Sequence, residues 1–326
     1  MSATPSDLPP TIFLMGPTAS GKTDLAMHLV DHLPADIVSV DSAQVYRHMD
    51  VGTAKPNARE LARAPHRLID IIEPDQSYSA AQFRDDALAA MGEITAVGRM
   101  PLLVGGTGLY FRALLYGLSE LPAADRALRA RLEQEAALHG WEYMHRRLAQ
   151  VDPAAAERIH PNDPQRIQRA LEVWELTGRA LSDQQQGSRE PNLPYRVLKL
   201  VRAPRDREVL RRRIAERFDR MLEQGLEREV QGLLARGLSP ASSAMRSVGY
   251  RQMLNYLLGE WDYQTMRERG IIATRQLAKR QLTWLRSEPD VHWLFDEDGA
   301  VNERALTLAR HWLDENNLSL PLNSGN

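Results

Sequence analysis

Over the first hundred residues, short apolar runs punctuated by glycine and proline alternate with segments of helical period. Residues 11–15 (TIFLM) form such a run and stop at Gly16-Pro17, and residues 22–33 then carry the spacing of an amphipathic helix. Residues 37–40 (IVSV) and 101–104 (PLLV) repeat the strand pattern, the second ending in Gly105-Gly106. Short apolar strands separated by helices predict an α/β fold: a parallel sheet with helices on both faces. Ligands of such sheets bind beyond the carboxyl ends of the strands. The loops that follow these three strands are therefore where chemistry is expected.

From residue 119 the pattern becomes helical. Residues 123–148 and 164–176 read as helices, interrupted at Asp152-Pro153 and at His160-Pro161-Asn162-Asp163-Pro164. Proline fixes its own φ and restricts the residue before it, so both are boundaries. Residues 183–194, rich in glutamine, read as a flexible return loop, and 196–201 (RVLKLV) as a strand that resumes the sheet. Residues 206–236 read as one long helix with Leu210, Ile214, Phe218, Met221, Leu222, Leu226 and Val230 on one face. No internal repeat is found. The expected organisation is a first core part at 1–118, an all-helical insertion at 119–195, a second core part with basic helices at 196–316, and a disordered tail at 317–326.

Composition is ordinary for a globular protein: 326 residues, 43% hydrophobic and 26% charged, enough for about two domains. The net charge of −2 advertises no polyanionic partner, but the sum conceals an uneven distribution. Residues 196–220 hold ten basic side chains against four acidic, residues 267–286 six against one, and beyond Ser287 eight acids face two arginines. A basic functional surface therefore stays open, with the acidic tail read as an aid to solubility. The absence of cysteine excludes disulfides, thiolate metal sites, iron–sulfur clusters and a cysteine nucleophile. The N-terminus MSATPSDLPP has neither the basic stretch nor the apolar run of a signal peptide, and no run approaches a membrane span of ~20 residues. A soluble cytoplasmic protein is expected, and in the absence of an identifiable self-complementary surface, a monomer.

Gly16-Pro17-Thr18-Ala19-Ser20-Gly21-Lys22-Thr23 fits the phosphate-loop pattern of nucleotide- and ATP-binding proteins at every fixed position. It also lies between a strand and a helix, as its mechanism requires. Backbone N–H groups and the helix N-terminus would surround phosphate oxygens, Lys22 would reach the same oxygens, and the Thr23 hydroxyl would ligate Mg²⁺. The chain has only four lysines, so one here is not background. Asp41, after the second strand, reads either as a general base beside that loop or as a helix cap. Gly105-Gly106-Thr107-Gly108 reads either as a close approach to the same crevice or as a structural turn. Arg166 and Arg169 share a helical face, as do Arg213, Arg217 and Arg220. Both rows have the alternative of plain solvated surface.

Together these segments resemble the bacterial tRNA dimethylallyltransferase (tRNA isopentenyltransferase) family. The resemblance rests on GPTASGKT, DSAQVY, DVGTAKP, PHRLID, LLVGGTGLY, HPNDPQRIQRALEVW, RSVGYRQM and TRQLAKRQLTWLR, in that order from Gly16 to Arg286. With no cysteine and an end soon after Trp312, the chain resembles the short bacterial form, without the zinc finger of eukaryotic members. The resemblance implies a phosphate-loop NTPase-like core and transfer of a dimethylallyl group from its diphosphate to N6 of the adenosine 3′ of the anticodon. It implies Mg²⁺ as cofactor, with Asp41 as base, Thr107 lining the reaction channel and Arg217 on the diphosphate. It further implies tRNA contacts at Asp41, Ser42, Ala43, Gln44, Thr107 and Arg129, and at Gln165, Arg166, Ile167, Gln168 and Arg169. Arg246, Ser247, Val248, Gly249, Tyr250 and Arg251, then Lys279, Arg280, Gln281 and Arg286, complete the set. Transfer to free adenine nucleotides, a small-molecule kinase, and a nucleotide-regulated RNA-binding protein are the rival readings.

Overall fold

A computed structural model describes residues 8–118, 121–184 and 191–316 of the chain. Six strands form one sheet: β1 (Pro10–Met15), β2 (Ala35–Val40), β3 (His66–Arg67), β4 (Met100–Gly105), β5 (Arg196–Ala203) and β6 (Val291–Phe295). Their order is β3-β2-β4-β1-β5-β6, and every neighbouring pair is parallel. β1 is central, with Ile12 opposite Leu102 on one side and Leu198 on the other. Side chains alternate across the sheet. Ile12 and Leu14 join Leu25 and Leu29 of the helix Lys22–His32 and Leu306 and Ala309 of the helix Val301–Glu315. Phe13 packs instead on Phe111 of the helix Gly108–Tyr116, ring centroids 5.1 Å apart. With both faces covered, the strands are mostly apolar, and among their few polar positions Thr11, Ser39 and Lys199 are buried and hydrogen-bonded.

A second core lies among the helices Arg207–Glu223, Leu226–Ala235, Tyr250–Leu257 and Tyr263–Ser287, around Phe218, Val230, Tyr250 and Met266. The first and last of these helices pass so closely that a Cβ on Gly270 would lie 2.1 Å from the Phe218 ring. The single helix expected over 206–236 is in fact two, broken where Gly225 adopts φ +102°. The apolar stripe continues across the break, so periodicity alone did not reveal it. The expected helix over 123–148 is likewise split into Arg126–His139 and Trp141–Val151 at Gly140, φ +83°. The sequence reading did not assign β3, β6 or the helices Ala80–Ala96 and Val301–Glu315.

The chain divides into two compact units, Met1–Leu115 with Leu193–Asn326, and Tyr116–Asn192. The second begins and ends a few residues before the 119–195 read from the sequence. Among its described residues the regular structure is helical, built round Leu132, Met144, Leu148, Ile167 and Leu171. Asp152 and Asp163 cap its helices Pro153–Arg158 and Pro164–Thr177, each with proline in the first turn where a missing N–H costs nothing. Of the expected return loop, Leu181–Gln184 ends as a short helix and residues 185–190 lie outside the described residues, as does the expected tail at 317–326. Among the described residues no helix is long and apolar enough to cross a membrane.

Candidate functional site

The loop between β1 and the helix Lys22–His32 ends at Gly21, whose φ of +85° turns the chain into the helix without a side-chain cap. Arg202, in β5, supports it from behind, donating to the Gly21 carbonyl at 2.6 Å while its Nε points to Asp296 at 3.3 Å. Lys22 donates to the Pro17 carbonyl at 2.7 Å. Burial lowers the Lys22 pKa to about 7, with Arg217 and Arg202 adding to the fall and Asp41 opposing it. Arg217 is also lowered by burial, and again Asp41 opposes. The lysine and the arginine are thus two half-buried basic groups, each favoured in its charged form by the Asp41 carboxylate. Ser20 Oγ is buried and has no hydrogen-bond partner among the described residues, while Thr23 is exposed.

Asp41 follows β2 and uses Oδ1 to accept the backbone N–H groups of Ala43 (2.8 Å) and Gln44 (3.3 Å). No helix follows directly, so it closes a turn rather than capping a helix, and its charge acts on both Lys22 and Arg217. Thr107, after β4, accepts the Ser42 N–H at 3.2 Å, and its own N–H reaches the Val40 carbonyl at 3.3 Å. Two strand-end loops are joined in this way. Gln44 is held at both ends of its amide, accepting from Ser39 Oγ at 2.9 Å and donating towards the Thr53 and Ala54 carbonyls at 3.4 Å.

These loops enclose a cavity of about 670 Å³. It brings together Thr18, Lys22 and Thr23 of the first loop, Asp41 to Gln44, Thr107, Arg217, Arg246 to Tyr250, Arg280 and Gln281. Lys279 and Arg286 instead face a different depression on the same helix. Among the described residues no three metal-ligating side chains gather into a cluster.

Several residues belong to this site that the sequence reading missed or gave another role. Gln281 accepts the Thr18 N–H at 2.8 Å and donates to the Gly106 carbonyl at 3.0 Å, tying the phosphate loop to the loop after β4. Trp284 stands over Gly108, where a Cβ would lie 2.6 Å from the indole. Glu229 accepts three consecutive N–H groups, of Asp50, Val51 and Gly52, at 2.7–3.0 Å, and the Tyr250 hydroxyl at 2.5 Å. It anchors the loop whose Thr53 and Ala54 carbonyls hold Gln44. None of these pairings leaves a local sequence signal, since the partners are far apart along the chain.

Two of the residues expected at RNA have buried side chains. Tyr250 has no exposed surface, and its ring belongs to the second core. Ile167 is likewise fully enclosed in the core of the helical unit. In that unit Arg129 makes a two-pronged pair with Glu172 at 2.8 and 2.9 Å, and Arg169 adds a bond to the same carboxylate at 2.7 Å and one to the Pro122 carbonyl at 2.9 Å. Burial of Glu172 would raise its pKa, but the two arginines and the Asp125 N–H outweigh it and hold the carboxyl low. Gln168 donates to the Arg129 carbonyl and to Glu133, both at 3.1 Å. Gln165 and Arg166 remain exposed.

Comparison with known proteins gives the following. Residues 44–288 match the family described as IPP transferase, and residues 10–71 that described as isopentenyl transferase. A protein named tRNA dimethylallyltransferase from Thioalkalivibrio sulfidiphilus is 64% identical over 88% of this chain and 90% of its own length. One of the same name from Alkalilimnicola ehrlichii is 63% identical over 89% and 92%. The crystal structure of the tRNA isopentenylpyrophosphate transferase of Bacillus halodurans is 36% identical, covers 94% of this chain and 98% of its own, and superposes with a TM-score of 0.68.

Proposed function

The chain belongs to the IPP transferase family, and from that premise we propose that it transfers a dimethylallyl group from dimethylallyl diphosphate to N6 of the adenosine 3′ of the anticodon in tRNA. The observation that carries the reading is the convergence of a phosphate loop, a half-buried lysine and arginine, and the Asp41 carboxylate in one cavity. The adenosine leaves its stack to enter that cavity, at lower cost from a single-stranded loop than from a duplex. N6 attacks the allylic carbon, the carbon–oxygen bond to the diphosphate breaks, and the electron pair departs with the leaving group. Negative charge therefore grows on the diphosphate, where Lys22, Arg217 and the loop N–H groups stabilise it. As the new bond forms, N6 becomes acidic and Asp41 takes its proton. Held through Oδ1 by two backbone N–H groups, the carboxylate is oriented before substrate arrives. Thr107 and Gln281 keep the three loops in register around the reacting atoms.

The exposed Thr23 hydroxyl and the lack of a carboxylate cluster among the described residues suit a Mg²⁺ that takes most of its ligands from substrate phosphates and water. Such an ion would neutralise diphosphate charge. The enzyme would act in the cytoplasm, as a monomer, with Arg166 and Arg246 among its RNA contacts. The deciding experiment incubates the protein with radiolabelled dimethylallyl diphosphate, Mg²⁺ and either tRNA or AMP. Label in tRNA alone is expected. Label in AMP would select the free-nucleotide reaction, and phosphate transfer from ATP to a hydroxyl would select a kinase.

A further inference from the structure

Outside the cavity, the helices Arg207–Glu223 and Tyr263–Ser287 frame a second depression of about 390 Å³. Leu210, Ile214, Ile272 and Leu282 make an apolar floor. Its rim carries five cations, Arg207, Arg211, Arg275, Lys279 and Arg286, all exposed, and among the described residues no carboxylate lines it. Only Arg211 has an ion-pair partner among the described residues, the neighbouring and equally exposed Glu208. Like charges gathered on one groove repel, and surfaces without a purpose for them intersperse both signs. The gathering is a site built for a polyanion.

The wall of this groove is shared with the cavity. Leu277, Gln281 and Trp284 of the helix Tyr263–Ser287 face the cavity, its Arg275, Lys279 and Arg286 face the groove, and Ile214 borders both. A helix with its side chains is about 10–12 Å across, so one nucleotide does not fill both places. We infer that the groove holds the sugar–phosphate backbone of the RNA substrate, at nucleotides other than the one whose base enters the cavity. This rests on the proposed action on tRNA, and it recruits Arg207, Arg211 and Arg275, which lie outside every segment the sequence assigned to RNA. An acidic protein segment would also answer the charge, but the shared wall favours the molecule that must already reach the cavity.

The test is tRNA binding titrated against salt for wild type, Arg207→Ala/Arg275→Ala and Arg207→Lys/Arg275→Lys. Each lost phosphate contact lowers the log–log salt slope by roughly 0.7–0.9, so the alanine pair should lose about 1.4–1.8 and bind on the order of tenfold more weakly at low salt. The lysine pair keeps the charges and should keep the slope. An unchanged slope in the alanine pair overturns the assignment and leaves the groove to a protein partner. So does a lysine pair that fails to restore it, because packing rather than charge would then be at work. Wild-type protein that neither binds tRNA nor labels it sinks the proposed function itself, whereas wild-type labelling with an unchanged alanine pair sinks only the groove.

Discussion

Asp41 and Lys22 carry the sharpest consequences at the scale of single residues. Asp41→Asn keeps an oxygen to accept the Ala43 and Gln44 N–H groups but cannot take a proton. Single-turnover transfer should fall by about 10²–10⁴ while tRNA affinity, read by filter binding, stays within a few-fold. Normal transfer would remove Asp41 from the chemistry. Lys22 titrates at about 7 in the folded protein against an ordinary 10.5, so the unfolded chain binds the extra proton between those values. Stability from this group therefore rises with pH across that window, and its penalty is complete below pH 7. Lys22→Met should be more stable than wild type at pH 6, with the gap closing towards pH 10 in denaturant titrations. A bound diphosphate favours the ammonium, so binding at pH 8 should take up a proton in wild type but not in the variant. Calorimetry in two buffers of different ionisation enthalpy reads this directly. The position of the phosphate loop and of Asp41 at strand ends beside one crevice was legible in the sequence because a strand and the loop after it are contiguous. Glu229 was not, because its partners at Asp50 to Gly52 and Tyr250 meet it only in the folded chain.

Among elements, the crossing of Arg207–Glu223 and Tyr263–Ser287 is the contact on which Arg217, Gln281 and Trp284 all depend. Gly270 makes it possible. Alanine would favour the helix by about 1 kcal/mol in isolation, but here its Cβ meets the Phe218 ring. Overpacking costs about 1–3 kcal/mol and should win, so Gly270→Ala is expected to lower the melting temperature. Adding Phe218→Leu should recover part of the loss, and a Gly270→Ala variant that melts higher would show the crossing to be loose. The longer strands were legible because a sheet covered on both faces leaves a mostly apolar signature. The helix breaks at Gly140 and Gly225 were not, since a left-handed glycine can interrupt a helix without interrupting its stripe. β3, two residues long, offers almost no pattern to read.

For the whole molecule, neighbouring arginines of the helical unit invite different expectations. Arg166 is exposed and, among the described residues, its side chain pairs only with Asp163 at 3.4 Å, which leaves it free to meet RNA in the proposed reading. Arg166→Ala should lower the salt slope of tRNA binding by roughly 0.7–0.9 with no change in melting. Arg169→Ala should act on stability instead, leaving the buried Glu172 with Arg129 alone. The loss should be about 1–3 kcal/mol, less than for a fully enclosed pair because both arginines retain solvent access. Equal melting of the two variants would refute the distinction. The sequence placed both residues on one helical face, and the spacing of Arg169 and Glu172 was open to reading, but not that Glu172 is buried and shared with the distant Arg129.

The position of β1 bears on how the protein is made. Its first neighbour in the chain's own order of appearance is β4, and its other neighbour, β5, follows the entire helical unit. On a ribosome adding ~5–20 residues per second, the central strand must wait many seconds for the partner that pairs Ile12 with Leu198. The helical unit needs only contacts within itself and can fold during that delay. The apolar edge of β1 is exposed meanwhile, which makes the nascent chain, rather than the finished enzyme, the form with most need of a chaperone.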